Sequence, residues 1–243
     1  MHCLIRCLFV FCLLFLFACQ KEQSRKQDRL VSFKDANRKY SVHYYGNQVS
    51  EIRVDSGLGA PFIIAKYSYQ DNYIKATLHP STGYDYVEYF MRKKVLPLSI
   101  IKHKNMGGRD TIVSRTDFYY SSGKDVPDSV VLRNTLKYNF IPVYNGGNIS
   151  DYHLSQNNNP SILSGSFLYY KETNVFRSTN PLLFIYSSPV FEFETFLMPR
   201  IFSHQTMKKF NGGSFTYDTD HKGNLAVEDY GALYPYRRTY LYE

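Results

Sequence analysis

Beyond residue 39 the chain is a succession of short runs in which apolar and polar residues alternate, punctuated by Gly, Asn, Asp and Pro. No window after Cys19 carries an apolar i, i+3, i+4, i+7 stripe over the roughly 10–12 residues an amphipathic helix needs. Alternation with period 2 between turn signals is the pattern of strands. Tyr40–Tyr45 and Gln48–Val54 flank Gly46-Asn47, a two-residue hairpin signal. Phe62–Tyr69 and Tyr73–Leu78 flank Gln70-Asp71-Asn72, and Ser99–Lys104 and Thr111–Tyr120 flank Gly107-Gly108. Ser129–Tyr138 and Ser161–Lys171 are further strands, with Asn145-Gly146-Gly147-Asn148 and Asn157–Pro160 as loops. Met207–Phe210 reads as a helical turn at most, between Pro199 and Gly212-Gly213. Consecutive hairpins need no crossover helices, so the predicted architecture is an antiparallel β-meander.

Its faces are mixed. Counting outward from Gly46-Asn47 sets Tyr44 opposite Val49 but Val42 opposite Glu51 and Ser41 opposite Ile52. Two half-apolar faces suit a curved single sheet or a partly closed barrel better than a dry sandwich.

The N-terminus follows another pattern. Between Arg6 and Cys19 every residue is apolar or Cys, and polar Gln20-Lys21-Glu22 follows at once. A run of that length is a signal-peptide core, short of the roughly 20 residues that span a bilayer. Leu16-Phe17-Ala18-Cys19 resembles the lipobox of bacterial lipoproteins, which implies diacylation of the Cys19 thiol and cleavage after Ala18. Two acyl chains give stable membrane attachment, at about 0.8 kcal/mol per buried methylene. Cys3, Cys7 and Cys12 would leave with the signal, so no thiol remains for a disulfide, a zinc site or a nucleophile. The expected organisation is a signal at 1–18, a flexible polar tether at 19–38 and one β-meander domain at 39–243.

The formal net charge is +8, but Arg6 leaves with the signal and the stretch Gln20–Lys39 holds seven cations against three acids. The remaining body is only mildly basic, which argues against a nucleic-acid partner. Aromatic content is 17%, from 23 Tyr and 18 Phe without Trp. Tyrosine favours strands, where one ring face packs and the hydroxyl stays wet.

Four features bear on chemistry. Asp218-Thr219-Asp220-His221-Lys222-Gly223 has the spacing of a calcium loop, but Lys222 sits where an oxygen ligand belongs, which favours an ordinary Asp/Gly turn. Glu192 and Glu194 share a strand face at roughly 7 Å, a separation found in glycosidases and equally in any solvated strand. His43, His79, His103, His153, His204 and His221 never fall at metal-ligand spacing, so no metal or cofactor is assigned. Tyr84, Tyr86, Tyr89, Phe90, Tyr119, Tyr120, Tyr169, Tyr170, Tyr234 and Tyr236 form aromatic groups that would serve as a sugar-stacking platform or, the favoured reading, as cross-strand packing.

The last hairpin carries a family resemblance. Phe215-Thr216-Tyr217-Asp218 followed by Gly223-Asn224 resembles the hairpins of tyrosine-aspartate repeat proteins. Together with Met198-Pro199-Arg200 and the lipoprotein signal, it is similar to uncharacterised lipoproteins of gut anaerobes with a porin-like antiparallel β fold. The resemblance implies an all-β meander curving into a half-barrel or porin-like partly closed barrel. It also implies an address at the outer membrane or cell surface, reached through an N-terminal lipid anchor. Charges at Lys66, Lys75, Glu88, Arg92-Lys93-Lys94 and Arg133 interrupt the apolar face that a membrane-spanning strand needs. The expected function is non-enzymatic, in binding or envelope structure, with a glycan or an envelope protein as partner. The alternatives are an accessory glycan-binding lipoprotein of a polysaccharide uptake system and a hydrolase whose site is assembled from distant strands.

Overall fold

The computed structural model describes residues 28–35, 38–55, 61–80, 83–93, 96–157, 159, 163–174, 176, 197–210, 213–231 and 237–243. Cys19, Ala18, Glu192, Glu194, Tyr234 and Tyr236 lie outside them. The strands are β1 (Leu30–Lys34), β2 (Lys39–Tyr45), β3 (Gln48–Asp55), β4 (Pro61–Gln70), β5 (Tyr73–His79), β6 (Tyr86–Lys93), β7 (Leu96–Met106), β8 (Arg109–Tyr119) and β9 (Ser129–Arg133). They continue as β10 (Lys137–Asn145), β11 (Asn148–Gln156), β12 (Leu163–Thr173), β13 (Gln205–Phe210), β14 (Gly213–Ser214), β15 (Thr216–Thr219), β16 (Leu225–Asp229) and β17 (Arg237–Tyr242). A short helix, α1 (Leu197–Phe202), precedes β13.

Each strand from β1 to β14 pairs antiparallel with the next, β15 pairs with β16, β16 with β17, and β17 returns to β1. The meander is therefore a nearly closed 17-strand barrel with one unsealed seam, at β14 and β15. The parity explains the seam. A ring in which every pair is antiparallel needs an even number of strands, and β14 and β15 are two halves of one run that continues through Phe215. The first half bonds to β13, extended by the Phe215 N–H to the Lys208 carbonyl (2.8 Å), and the second half bonds to β16. Tyr230 fills the gap: it stacks on Phe215 at 4.1 Å and reaches the Phe210 carbonyl with its hydroxyl. Gly213 makes room for it, since a Cβ there would lie 2.4 Å from the Tyr230 hydroxyl oxygen.

Several expectations change. Leu30–Lys34, assigned from composition to the tether, is β1 and closes the ring, because Leu30 and Phe33 bury against β17 and β2 while Ser32 and Lys34 face out. The mixed face expected around Gly46-Asn47 does not form. A β-bulge between His43 and Tyr44 shifts the ladder by one residue, so Val42 faces Ile52 and Tyr40 faces Val54. One inserted residue thus gathers the apolar side chains on one face. The bulge at Tyr144 in β10–β11 does the same work. Ser129–Tyr138 is not one strand but β9 and β10 around the turn at 134–136. Met207–Phe210 belongs to β13 instead of a helical turn, because its residues pair with β12.

The corrected register separates an apolar interior from a polar exterior. Tyr40, Val42, Ile52, Val54, Ile63, Ala65, Ile74, Ala76, Val87, Tyr89, Phe118, Val130, Phe140 and Tyr152 point inward and are buried. Lys39, His43, Arg53, Lys66, Ser68, Asp151, His153 and Lys209 point outward and are exposed. Sixteen antiparallel runs enclose more space than their own side chains fill. The chain between β12 and β13 supplies material: Phe176, Met198, Arg200, Ile201, Phe202 and Ser203 are all buried. Arg200 ion-pairs with Glu228 of β16, the Tyr240 hydroxyl donates to Glu228 at 3.0 Å, and Phe202 meets Phe118 of β8. That segment thereby ties opposite parts of the wall together.

Candidate functional site

The polar chemistry of the described residues concentrates on the outer wall of β5 to β10. Register makes it. Lys75, Glu88, Ile101, Arg115, Arg133 and Lys137 stand directly opposite one another across six strands, a continuous outward row. The adjacent row is Tyr73, Phe90, Ser99, Asp117, Val131 and Asn139. Ser99, His103 and Asp117 are buried although they face away from the core, because the long side chains of these rows fold over them.

His103 anchors one cluster. Its Nδ1 lies 3.2 Å from Asp110 Oδ2, and its Nε2 lies 2.9 Å from Glu88 Oε2 without hydrogen-bond alignment. The Tyr86 ring stacks on the imidazole at 4.4 Å and donates its hydroxyl to Asp110 at 2.6 Å. Tyr73 donates to Glu88 at 2.7 Å, and Lys75 Nζ sits 3.9 Å from the Tyr86 ring centroid. Burial first, then the bond to Glu88, pushes the Tyr73 phenol up to about 12; burial and Asp110 raise Tyr86 in the same way. The two imidazole nitrogens point at different carboxylates, so the three groups do not converge on one point. Both phenol protons are committed to carboxylates, and the constellation contains no aliphatic hydroxyl or thiol to act as nucleophile.

Asp117 anchors the other. Its Oδ1 accepts from Ser99 Oγ (2.9 Å) and Arg115 Nε (2.8 Å), and its Oδ2 accepts from Arg133 Nη1. Arg133 Nη2 also donates to the Tyr119 hydroxyl at 3.3 Å. Burial alone would raise the Asp117 carboxyl, but the bonds from Arg115, Ser99 and Arg133 outweigh it and hold it below the ordinary value.

The aromatic groups divide. Tyr89 is buried, Tyr84 packs against the core with Lys102 over its ring, and Tyr86 belongs to the His103 cluster. Tyr44, Tyr69, Tyr120, Tyr144 and Tyr169 are half-buried at one end of the barrel, and each donates to a carbonyl of an adjoining strand or loop: Leu30, Val49, Pro97, Pro127 and Ile149. Burial raises Tyr44 to about 12 and moves Tyr120, Tyr144 and Tyr169 higher still. Tyr170 likewise donates to the Phe215 carbonyl. These rings are fastenings of the wall, as the packing reading expects. Phe90 and Tyr119 alone of the aromatic groups named in the sequence stay exposed among the described residues.

At the calcium-like turn, Asp220 Oδ1 accepts the backbone N–H groups of Lys222 and Asn224, and Lys222 Nζ pairs with Asp28 at 2.8 Å. The carboxylate is used to shape the turn. Of the six histidines among the described residues, His103 alone joins a charged cluster, and spacing could not reveal it: Glu88, His103 and Asp110 come from three strands. The signal that finds them is the register, which sequence counting misses once bulges intervene.

No protein-family model matches the chain, and no curated protein sequence matches it. Solved structures do. The chain is similar to a porin-like protein from Bacteroides vulgatus, with a TM-score of 0.55 at 11% identity over 89% of this chain and 99% of that one. It is also similar to a porin-like protein from Bacteroides uniformis, with a TM-score of 0.53 at 9% identity over 88% of this chain and 96% of that one. At such identities the likeness establishes the fold: an all-β, nearly closed barrel of the porin-like kind.

Proposed function

We propose that this chain is a non-enzymatic envelope protein held at the outer membrane or cell surface by a diacylated Cys19, with its barrel standing outside the bilayer. The distribution of polarity carries the reading. A pore-forming barrel turns an apolar band to lipid and a polar lumen to water. Here most inward positions are Val, Ile, Ala, Tyr and Phe, with Arg200 and Glu228 paired inside, and the outward rows bear Lys66, Lys75, Glu88, Arg115 and Arg133 among exposed apolar residues such as Ile112, Ile141 and Leu168. A wall of that composition is at home in water, so attachment has to come from elsewhere in the chain. The apolar run that stops at Cys19 is suited to it, and β1 starts eleven residues later at the end of the barrel that carries the tyrosine fastenings.

Fractionation tests this. Wild type is expected in the detergent-rich phase, resistant to alkaline extraction until lipid is dissolved, and Cys19→Ser in the aqueous phase with its signal uncleaved or cleaved elsewhere. A Cys19→Ser protein that stays integral to the membrane, or wild type that conducts ions across planar bilayers, would overturn the reading.

A glycan-binding role is the second reading. It is favoured by one observation, the exposed Tyr119 ring beside two outward arginines.

A further inference from the structure

We infer that Arg115 and Arg133 form an oxyanion site on the outer wall, and that it takes the carboxylate or sulfate groups of an acidic saccharide chain. Register places the two guanidiniums directly opposite each other across β8 and β9, where like charges repel. Both are fixed on one carboxylate. Asp117 lies beneath them with its side chain 10% exposed, and its two oxygens accept from Ser99, Arg115 and Arg133. The arginine side chains themselves are 48% and 42% exposed.

The geometry leaves a fork open. Arg115 binds Asp117 through Nε, and its two terminal nitrogens have no partner among the described residues. A guanidinium held by one edge presents the end that binds a carboxylate or sulfate through two parallel N–H donors. Two cations against one carboxylate leave the trio with an excess positive charge, and Lys137 stands opposite Arg133 on β10. An arginine already oriented by a buried carboxylate loses little side-chain freedom on binding, which is what separates a built site from a solvated charge.

Tyr119 chooses the class of ligand. Its ring is 46% exposed and its hydroxyl accepts from Arg133, so a flat apolar face lies next to the charged fork. An inorganic ion or a lipid phosphate uses only the fork. A uronate or sulfated sugar uses both, the ring face of the saccharide lying on the phenol while its acid meets the guanidiniums. The site is on the outer wall, where β8 runs towards the end of the barrel at which β1 begins and Tyr119 closes the strand. This inference rests on the reading that the wall faces water.

The test uses the full-length protein in a neutral detergent, with polygalacturonate as the probe and uncharged dextran as the blank, followed by calorimetry. Arg115→Gln with Arg133→Gln is expected to weaken polygalacturonate binding about tenfold or more. Lys39→Gln with Lys209→Gln, the same loss of charge elsewhere on the wall, should change it less than about twofold. Tyr119→Ala should weaken polygalacturonate about threefold to tenfold and leave inorganic sulfate unchanged. Equal loss in the two double variants, or none in the arginine pair, overturns the site. Binding to anionic vesicles without binding to polygalacturonate overturns the saccharide. Fractionation of Cys19→Ser separates the failures: if that variant leaves the membrane and the protein does not bind, only the site falls.

Discussion

Two arginine–carboxylate groups, one inside the barrel and one outside, use the same chemistry to opposite ends. Arg200 and Glu228 are 1% and 0% exposed and join the segment before β13 to β16. Arg115 and Arg133 flank Asp117 on the outer wall and keep nearly half of their surface in water. Removing two charges from water costs several kcal/mol per ion, which a buried pair recovers only while both partners stay. The inner group therefore fixes the position of α1 inside the wall. The outer group has little to recover and can offer its guanidiniums to something else.

The comparison breaks hardest at Glu228. Glu228→Gln takes the Glu228 carboxylate from buried Arg200 and an acceptor from Tyr240, so a loss of about 3–5 kcal/mol is expected in chemical denaturation. Replacing Arg200 and Glu228 together by Met and Leu should restore much of it. If Glu228→Gln costs no more than a surface change, the inner pair does not hold α1.

Gly213→Ala comes next. The added Cβ meets Tyr230 Oη at 2.4 Å and its ring at 2.7 and 2.8 Å, so the ring that closes the seam must move or the backbone must part. The expected cost is about 1–3 kcal/mol, with Tyr230→Ala in the same chain relieving the clash but opening the seam. Hydrogen exchange at β13 and β16 reads the opening directly.

The tyrosine fastenings lie between the two regions in burial and should lie between them in energy. Tyr69→Phe removes a 2.7 Å bond to the Val49 carbonyl and leaves that oxygen to find water at the barrel end, for about 0.5–1.5 kcal/mol. The phenols also set an alkaline limit. The folded Tyr44 titrates at about 12 against an ordinary 10, and a folded pKa raised in this way leaves stability intact below 10 and erodes it as the pH climbs from 10 towards 12. Ultraviolet titration should show phenols that ionise only as the protein unfolds.

How much of this was legible follows the same division. The turns were written in Gly46-Asn47 and Gly107-Gly108, and the strands in the alternation on either side, because both are local. The register was not. A single extra residue at the His43–Tyr44 bulge turns a mixed face into an apolar one, and no local signal marks where the insertion falls. β1 was missed because five residues with two apolar anchors average away inside a charged stretch. The wall cluster was unreadable for the reason the bulge was: Glu88, His103 and Asp110, or Arg115 and Arg133, become neighbours only when the ladders are known. Arg200 was quoted in the sequence as part of a motif, and its burial beside Glu228 depends on a contact 28 positions away.

Asp117 gives the smallest effect and the sharpest contrast. Asp117→Asn keeps the shape and removes the counter-charge between two guanidiniums that face water, so the loss at neutral pH should be at most about 1 kcal/mol, and added salt should shrink it. Acid should erase it. The folded carboxyl titrates below the ordinary 3.8, so its contribution is complete above that value and disappears as the pH falls through the folded pKa. Wild type and Asp117→Asn should therefore converge in stability at low pH, where both carry a neutral group between Arg115 and Arg133. Glu228→Gln measured beside it distinguishes the two regions. Its deficit at neutral pH exceeds that of Asp117→Asn several-fold if burial sets the scale, and the two deficits match if the shared chemistry of arginine and carboxylate sets it instead.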